Sequence, residues 1–369
     1  MKITFVVPTL NISGGLRVVS IYAQYLAKRG HIVTVVSPKS RTPTIKQRIK
    51  HALKWKGYQF KSQFDSTYFN DSDYEVILTN KSHSVFASDV PDADVVIATW
   101  WETVEWINKF PLEKGKKVYF VQGLETLNTV LPTARIEKTY QNSMPKITIA
   151  KWLVKELKEK SKENIFLVPN SVEQDVFYSG VRCKQNVPTI GFLYSETGSK
   201  GITVALEVIA RLKNELANLR VLSFGANQPK LIDLPSYIEL SVNPAQSEIR
   251  ELYAQCDIWL CCSTLEGFGL TVLEAMACRT PVVSTKCGGP EDIVTEGING
   301  YLCAVDDVES LTLSAFNLLS LDDVSWQEFS SAAFQFASDY SWDSATDLFE
   351  QALIESTYNL KEGKRNVAL

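Results

Sequence analysis

Short apolar runs alternate with longer amphipathic stretches along most of this chain. The run Ile3–Val7 is followed by a helical pattern over Leu16–Arg29, which Gly30 ends, and then by a second run at Ile32–Val36. Further runs predict strands at Val76–Leu78, Val95–Ala98, Val118–Val121, Ile147–Ile149 and Ile165–Val168. Buried runs that are separated by helices are typical of a parallel sheet covered on both faces.

The same alternation begins again after a polar stretch near Pro169–Pro188. It predicts strands at Thr189–Leu193, Arg220–Phe224, Ile238–Leu240, Ile258–Cys262 and Pro281–Ser284. It predicts helices at Gly201–Asn214, Ser247–Cys256, Leu270–Cys278, Leu311–Leu319 and Ser344–Leu360. Two successive doubly wound units indicate an α/β protein with two Rossmann-like domains facing a central cleft. Ligands of such sheets bind beyond the carboxyl ends of the strands.

The polar stretch with its prolines predicts the change of domain. We assign residues 1–170 to an N-terminal Rossmann-like domain and residues 171–343 to a C-terminal one. Residues 344–369 form a C-terminal helix and tail. This helix either packs on the second domain or crosses back to the first, and periodicity leaves both arrangements open.

Composition places the chain among soluble globular proteins. It has 369 residues, of which 45% are hydrophobic and 22% charged, and its net charge of −4 argues against a nucleic-acid partner. Its seven cysteines form no Cys-x-x-Cys pair, so we expect small buried hydrophobes of a reducing cytoplasm rather than zinc ligands or disulfides.

No stretch reaches the length of a membrane span, which is roughly 18 apolar residues. The apolar N-terminus is short and runs into Asn11–Gly15, so a first buried strand explains it better than a signal peptide. We therefore expect a cytoplasmic protein that is either soluble or bound at the inner face of the membrane.

The segment Glu266–Glu274 carries the clearest chemistry; it reads Glu-Gly-Phe-Gly-Leu-Thr-Val-Leu-Glu and directly follows an apolar strand. Its glycines let the backbone approach a ligand closely, and the free amides at the start of the next helix can hold a diphosphate. Glu274, one turn into that helix, can accept hydroxyl protons from a ribose diol, and Glu266 lies where a sugar hydroxyl would be reached. Either carboxylate alone would also suit the helix dipole without any ligand.

This segment resembles the Glu, seven residues, Glu motif of glycosyltransferase family 4, whose members have the two-Rossmann-domain GT-B fold. Other similar stretches are Gly14-Gly15, Val168–Phe177, Tyr253–Asp257, Pro281–Val283 and Gly288–Glu291. The resemblance runs nearly end to end. It implies transfer of a hexose from a nucleotide sugar with retention of configuration, without a required metal or other cofactor.

The resemblance also implies roles for individual residues. Catalysis would fall to Glu266, near the reacting face of the donor sugar, and to Lys200, which would neutralise the departing diphosphate. The donor would be held by Gly267, Phe268, Gly269, Leu270 and Thr271, with Glu274 on the ribose. In the first domain, Gly14 and Gly15 would let the backbone approach the phosphates or the acceptor.

Two departures from the family pattern leave parts of the site open. Members usually carry an Arg before the Lys, but Gly191–Tyr194 has none, so Tyr194 and Ser195 are candidate hydroxyl donors to the phosphates. Where many members have a His, this chain has Thr99–Thr103. Glu102 or Gln122 is then the candidate acceptor contact. Trp100 and Trp101 either stack on a sugar or pack at a domain interface.

Residues 39–61 are strongly basic for an acidic protein, with eight cationic and no acidic side chains, and Ile45, Ile49 and Leu53 form an apolar stripe. This pattern predicts a helix lying on an anionic membrane surface, or else a solvated loop that binds an anionic acceptor. No Asp-x-Asp follows a strand end in the donor region, so we expect no metal.

The sequence thus predicts a retaining hexosyltransferase for polysaccharide or envelope glycan assembly. The expected donor is UDP-glucose, with other UDP-hexoses as alternatives, and the expected acceptor is a glycan or a lipid-linked sugar. Two other functions stay open: a nucleotide-sugar 2-epimerase, which shares the architecture, and a non-catalytic nucleotide-sugar binder, which the missing Arg suggests.

Overall fold

The computed structural model describes residues 1–39, 68–70, 72–80, 84–127 and 130–365, with side chains up to residue 357. The described chain forms two compact units. The first comprises Met1–Thr148, Val154–Val168 and the described residues from Thr346 onward; the second comprises Ile149–Leu153 and Pro169–Ala345. The basic residues 40–61 lie outside the described residues, so the predicted contact of residues 39–61 with a membrane stays a prediction.

Seven parallel strands make up the sheet of the first unit: β1 Lys2–Val6, β2 Ile32–Pro38, β3 Glu75–Thr79, β4 Val95–Ala98, β5 Lys116–Val121, β6 Lys146–Thr148 and β7 Ile165–Leu167. Their order is β3-β2-β1-β4-β5-β6-β7, with Val6 paired to both Val36 and Ala98. Sequence order therefore reverses between β1 and β4, which is the switch point where such sheets bind ligands. The helices that accompany them are α1 Gly14–Lys28, α2 Trp101–Ile107, α3 Thr133–Tyr140 and α4 Lys151–Lys160.

Six parallel strands make up the sheet of the second unit: β8 Thr189–Leu193, β9 Arg220–Gly225, β10 Ile238–Val242, β11 Ile258–Cys261, β12 Val282–Thr285 and β13 Gly300–Cys303. Their order is β10-β9-β8-β11-β12-β13, so the switch point lies between β8 and β11. The accompanying helices are α5 Ile202–Glu215, α6 Gln246–Ala254, α7 Leu270–Ala277, α8 Pro290–Ile293, α9 Val308–Ser320 and α10 Asp323–Ser338. All four residues of β11 and of β12 are buried, as expected for central strands of a sheet that is covered on both faces.

The last helix, α11 Trp342–Arg365, begins in the second unit and continues in the first. The ring of Phe349 stacks on Tyr22 of α1 at a centroid separation of 4.3 Å and meets Phe120 of β5 edge-on at 5.2 Å. Arg29 and Asp347 form an ion pair at 2.6 Å at the rim of this contact. Aromatic burial of this kind anchors the helix to the core of the first unit.

The predicted fold class is confirmed: both sheets are parallel, doubly wound and Rossmann-like. Two details differ from the sequence predictions. The first helix begins at Gly14, so Gly14 and Gly15 lie inside its first turn rather than in a loop. Cys183 is exposed, whereas the other six cysteines are buried as expected. In the described part of the chain, no helix combines the length and hydrophobicity that crossing a bilayer needs.

Candidate functional site

The loops that follow β8 and β11 lie side by side because these two strands are neighbours at the switch point of the second sheet. The Thr264 N–H donates to the Ser199 carbonyl at 2.9 Å. Gly201 adopts a φ of +61°, and a Cβ at this position would lie 1.8 Å from the Cys262 carbonyl oxygen. Only glycine fits there, and its presence allows the Lys200 loop to pack directly on the strand end.

An ion pair joins these two loops. Lys200 Nζ lies 2.7 Å from Glu266 Oε1, and the side chains are 28% and 11% exposed. The Ser263 hydroxyl donates to the same carboxylate oxygen, also at 2.7 Å. Burial lowers the pKa of Lys200, but the charge of Glu266 and its hydrogen bond outweigh burial, so the pKa is raised overall. The ammonium is therefore charged at physiological pH.

The backbone of Glu266 is held as firmly as its side chain. Glu266 forms a parallel bridge with Gly288: its N–H donates to the Cys287 carbonyl at 2.7 Å, and its carbonyl accepts from the Gly289 N–H at 3.1 Å. The Gly288 φ of +105° and the close contact with the Glu266 carbonyl leave no room for a side chain. Two backbone hydrogen bonds thus fix the direction in which the Glu266 side chain points.

Helix α7 begins immediately after this bridge. Gly269 caps it with a φ of +91°, and its carbonyl accepts from the Val272 N–H at 2.9 Å. The first N–H groups of a helix have no acceptor within the helix and, together with the dipole, they favour an anion. Gly267, Leu270 and Thr271 are half-exposed here, whereas Phe268 is buried. The helix start therefore offers backbone donors next to the Lys200–Glu266 pair.

A cleft that is open to solvent lies at this place. Side chains from both loops, from the strand ends and from α7 line it, among them Leu193, Lys200, Ser263, Glu266 and Thr271. The cleft therefore combines one cation, one carboxylate and two hydroxyl groups above an apolar floor that includes Trp259. That mixture suits a polar ligand with both phosphate and hydroxyl groups.

Glu274 lies inside α7 and is only 4% exposed. The Tyr253 hydroxyl donates to its Oε2 at 3.0 Å, a partner that the sequence analysis did not identify. Tyr253 itself is fully buried and packs edge-on against Trp259 at 4.6 Å. Glu274, the carboxylate that is expected to bind the ribose, is thus buried within the protein near the start of α7.

Tyr194 does not present a free hydroxyl group in the way the sequence suggested, whereas Ser195 is half-buried and keeps its O–H as a donor. Tyr194 is 3% exposed and its hydroxyl donates to Glu196 at 2.8 Å, so its oxygen is committed within the protein. Ser195 Oγ accepts from the Thr197 N–H at 3.3 Å. Glu196 also accepts from the N–H groups of Leu231 and Lys230 at 2.7 and 2.8 Å, and these bonds lower its pKa to about 2.

The remaining candidates lie at the switch point of the first unit. The Gln122 amide donates to the Gly15 carbonyl at 3.1 Å, which ties the end of β5 to the start of α1. Trp100 and Glu102 are half-buried. Trp101 is 4% exposed, and the Arg135 guanidinium covers its ring at 4.8 Å, so this ring belongs to the core and has no open face for a sugar.

Among the described residues, no group of three or more His, Cys, Asp or Glu side chains is arranged to hold a metal ion. Of the three histidines, His51 and His83 lie outside the described residues. His31 contacts Glu350 at 2.9 Å, which is a structural role within the first unit.

Residues 184–320, which include the whole Lys200–Glu274 region, match the family model described as Glycosyl transferases group 1. Over these residues the chain is similar to the group 1 glycosyltransferases. It is 24% identical over 207 residues to an uncharacterized glycosyltransferase of Methanocaldococcus jannaschii, which covers 55% of this chain and 57% of that protein. It is 32% identical over 171 residues to a D-inositol 3-phosphate glycosyltransferase of Corynebacterium urealyticum, with 42% and 40% covered. The chain thus spans about half the length of these curated relatives.

Solved glycosyltransferase structures share the fold of this chain across almost its full length. Sucrose-phosphate synthase from Thermosynechococcus elongatus superposes with a TM-score of 0.74 at 14% identity, covering 96% of this chain and 99% of that one. The Anabaena protein HepE, solved in complex with UDP-glucose, superposes with a TM-score of 0.71 at 15% identity, covering 96% and 100%. These likenesses show that the chain has the GT-B type of fold.

Proposed function

We propose that this protein is a retaining glycosyltransferase that transfers a hexose, glucose from UDP-glucose in the first instance, to a glycan or lipid-linked acceptor. One observation carries the proposal: the Lys200–Glu266 ion pair stands at 2.7 Å beside the glycine-capped start of α7, at the switch point of the second sheet. The UDP-glucose complex of HepE, which has the same fold, supports the choice of donor.

The donor diphosphate binds at the start of α7 in this mechanism. The N–H groups of Phe268, Gly269 and Leu270 hold the phosphate oxygens, as a helix N-terminus holds anions. The Lys200 ammonium, charged because its pKa is raised, stabilises the negative charge that grows on the diphosphate as the glycosidic bond breaks. Glu274 orients the ribose, and Tyr253 holds the carboxylate in position for this.

Glu266 has two tasks in the proposed reaction. Its carboxylate keeps Lys200 at the leaving group and contacts the donor sugar hydroxyls. Because Oε1 already accepts from Lys200 and Ser263, we do not assign Glu266 as a nucleophile. The acceptor hydroxyl instead attacks from the face that the diphosphate leaves, and a phosphate oxygen takes its proton. The new bond then has the configuration of the old one.

The acceptor belongs to the first unit in this proposal. Gly14, Gly15 and Gln122 supply backbone and amide groups at the switch point of the first sheet, with Trp100 and Glu102 as further contacts. These groups are neutral apart from Glu102, which suits a hydroxyl-bearing acceptor.

Product analysis of the purified protein tests the proposal. With UDP-glucose and a panel of glycan acceptors, we expect UDP release and a product that keeps the α configuration of the donor. Glu266→Ala should abolish both. A changed donor sugar without any acceptor would instead identify an epimerase. Binding of UDP-glucose with neither transfer nor slow hydrolysis would identify a non-catalytic binder.

A further inference from the structure

Trp152 lies 115 positions before Gly267 in the chain, yet the two are in direct contact in the second unit. The indole Nε1–H donates to the Gly267 carbonyl at 3.0 Å. Trp152 is half-buried at the start of α4. It lies outside the Glu266–Glu274 segment and outside the stretches that resemble the family pattern.

The indole ring also packs on the second strand of the bridge that holds Glu266. A Cβ at Gly288 would lie 2.7 Å from Trp152 Nε1, so the ring occupies the space that a side chain at this position would need. Glycine at 288 is therefore required both by its φ of +105° and by the indole. Trp152 thus contacts both segments that form the Glu266–Gly288 bridge.

The preceding residue fixes the start of α4 in the same place. The Lys151 N–H, which as a first helical amide has no acceptor within its helix, donates to Asp292 Oδ2 of α8 at 2.7 Å. The Lys151 ammonium lies 3.7 Å from the other carboxylate oxygen of Asp292. Two adjacent residues of α4 are thereby bonded to the glycine loop Gly267–Gly269 and to α8.

The bond to the Gly267 carbonyl determines the direction of the next amide. The described chain contains no cis peptide bond, so the Gly267 carbonyl and the Phe268 N–H belong to one planar trans peptide and point in opposite directions. A carbonyl held toward Trp152 therefore turns the Phe268 N–H away from it. Without the indole, the Gly267 carbonyl would lose the hydrogen bond that sets the orientation of this peptide.

We propose that Trp152 is a positioning residue for donor binding: by holding the Gly267 carbonyl, it aims the Phe268 amide at the donor diphosphate. This inference rests on the proposed function, because it is the phosphate role of Phe268 that the indole serves. Trp152 itself touches no substrate atom in this account.

The test compares UDP with uridine as ligands of the full chain carrying Trp152→Phe, which keeps an aromatic ring but loses the donor. Isothermal titration or ligand-observed NMR should show UDP affinity about two- to tenfold weaker, the range expected for one lost hydrogen bond. Uridine affinity should not change, because uridine lacks the phosphates. A role in folding alone would weaken both ligands equally.

The chain offers a matched control. The Trp326 indole also donates to a backbone carbonyl, that of Asp257 at 2.9 Å, and it is fully buried away from the glycine loop. Trp326→Phe should lower the midpoint of thermal unfolding but leave UDP affinity at the wild-type value.

Two results would overturn the inference while leaving the proposed function standing. One is a Trp152→Phe variant that binds UDP as tightly as the wild type, and the other is an equal loss for UDP and uridine. If the wild-type protein binds no UDP at all, the proposed function fails first, and the inference fails with it.

Discussion

Both sheets place their first strand between their second and fourth strands, so the strand order reverses at the same point in each unit. The chemistry at that edge differs between the two units. In the second unit, Lys200, Glu266 and Ser263 form a charged cluster beside the amides of a helix start. In the first unit, the corresponding edge carries Gly15 and Gln122, where the Gln122 side-chain amide donates a neutral hydrogen bond to the Gly15 carbonyl at 3.1 Å. In the proposed reaction, the same scaffold therefore holds the phosphates in one unit and a neutral hydroxyl compound in the other.

The difference originates in the loops rather than in the sheets. The Lys200 loop can reach Glu266 because Gly201 permits direct contact with the Cys262 carbonyl. In the first unit, Thr103 Oγ1 accepts from the N–H groups of Thr99 and Trp100 at 2.9 and 3.0 Å, which closes the turn into α2 without a charged group. Four predictions follow this comparison, from the largest expected effect to the smallest.

Lys200→Ala should lower kcat/KM by about a hundred- to a thousandfold, because the growing charge on the diphosphate loses its fixed cation. UDP affinity should fall as well. Steady-state UDP release and UDP titration measure the two effects. Lys213→Ala is the matched control. This lysine lies in α5 and donates a hydrogen bond to the Leu219 carbonyl at 3.1 Å, so its loss should leave both values unchanged. Equal UDP affinity in Lys200→Ala would remove Lys200 from the phosphate site.

Glu266→Gln should separate the two tasks of this carboxylate. Turnover of UDP-glucose should fall by about tenfold or more, since the donor sugar loses a charged acceptor. UDP itself should bind as tightly as in the wild type or up to about fivefold more tightly, because Lys200 is no longer shared with a carboxylate. Weaker UDP binding in this variant would mean that the pair acts as one structural unit.

Gln122→Ala probes the neutral site of the first unit. We expect the KM for the acceptor to rise about two- to tenfold, the range for one neutral hydrogen bond, with UDP affinity unchanged. Initial rates at varied acceptor and saturating donor provide the measurement. A loss of UDP affinity instead would show that the division of chemistry between the units is not the one described here.

The pH profile should show the smallest effect. Because the pKa of Lys200 is raised above its ordinary value of 10.5, its charge is complete below about pH 9 and is lost only as the pH rises through the folded pKa. UDP affinity should therefore not decline between about pH 7 and pH 9. A decline in this window that is absent from Lys200→Ala would contradict the assignment of a charged ammonium.

Most strands could be predicted from the sequence because each is a short, continuously apolar run, and β4 and β8 have the predicted bounds. The strand β13, Gly300–Cys303, was not predicted, since it begins with glycine and two of its four residues are only half-buried. Helix α4 was also missed, because its lysines and glutamates mask a narrow apolar stripe.

The candidate site could be predicted only where its residues adjoin in sequence. The glycine loop and the start of α7 follow from local pattern. The pairing of Lys200 with Glu266 spans 66 positions and that of Trp152 with Gly267 spans 115, and one sequence contains no signal for either. Tyr194 shows a different limit: its hydroxyl partner, Glu196, is only two residues away, but the sequence does not show the burial in which the bond forms.

Amide hydrogen exchange of the full chain with and without UDP tests the central claim most directly, because it reports which unit binds the phosphates. The account predicts that UDP slows exchange in the peptides that contain Lys200–Ile202 and Glu266–Glu274, and that Lys200→Ala weakens this protection. Protection confined to the first unit, around Gly14–Gly15 and Gln122, would contradict it.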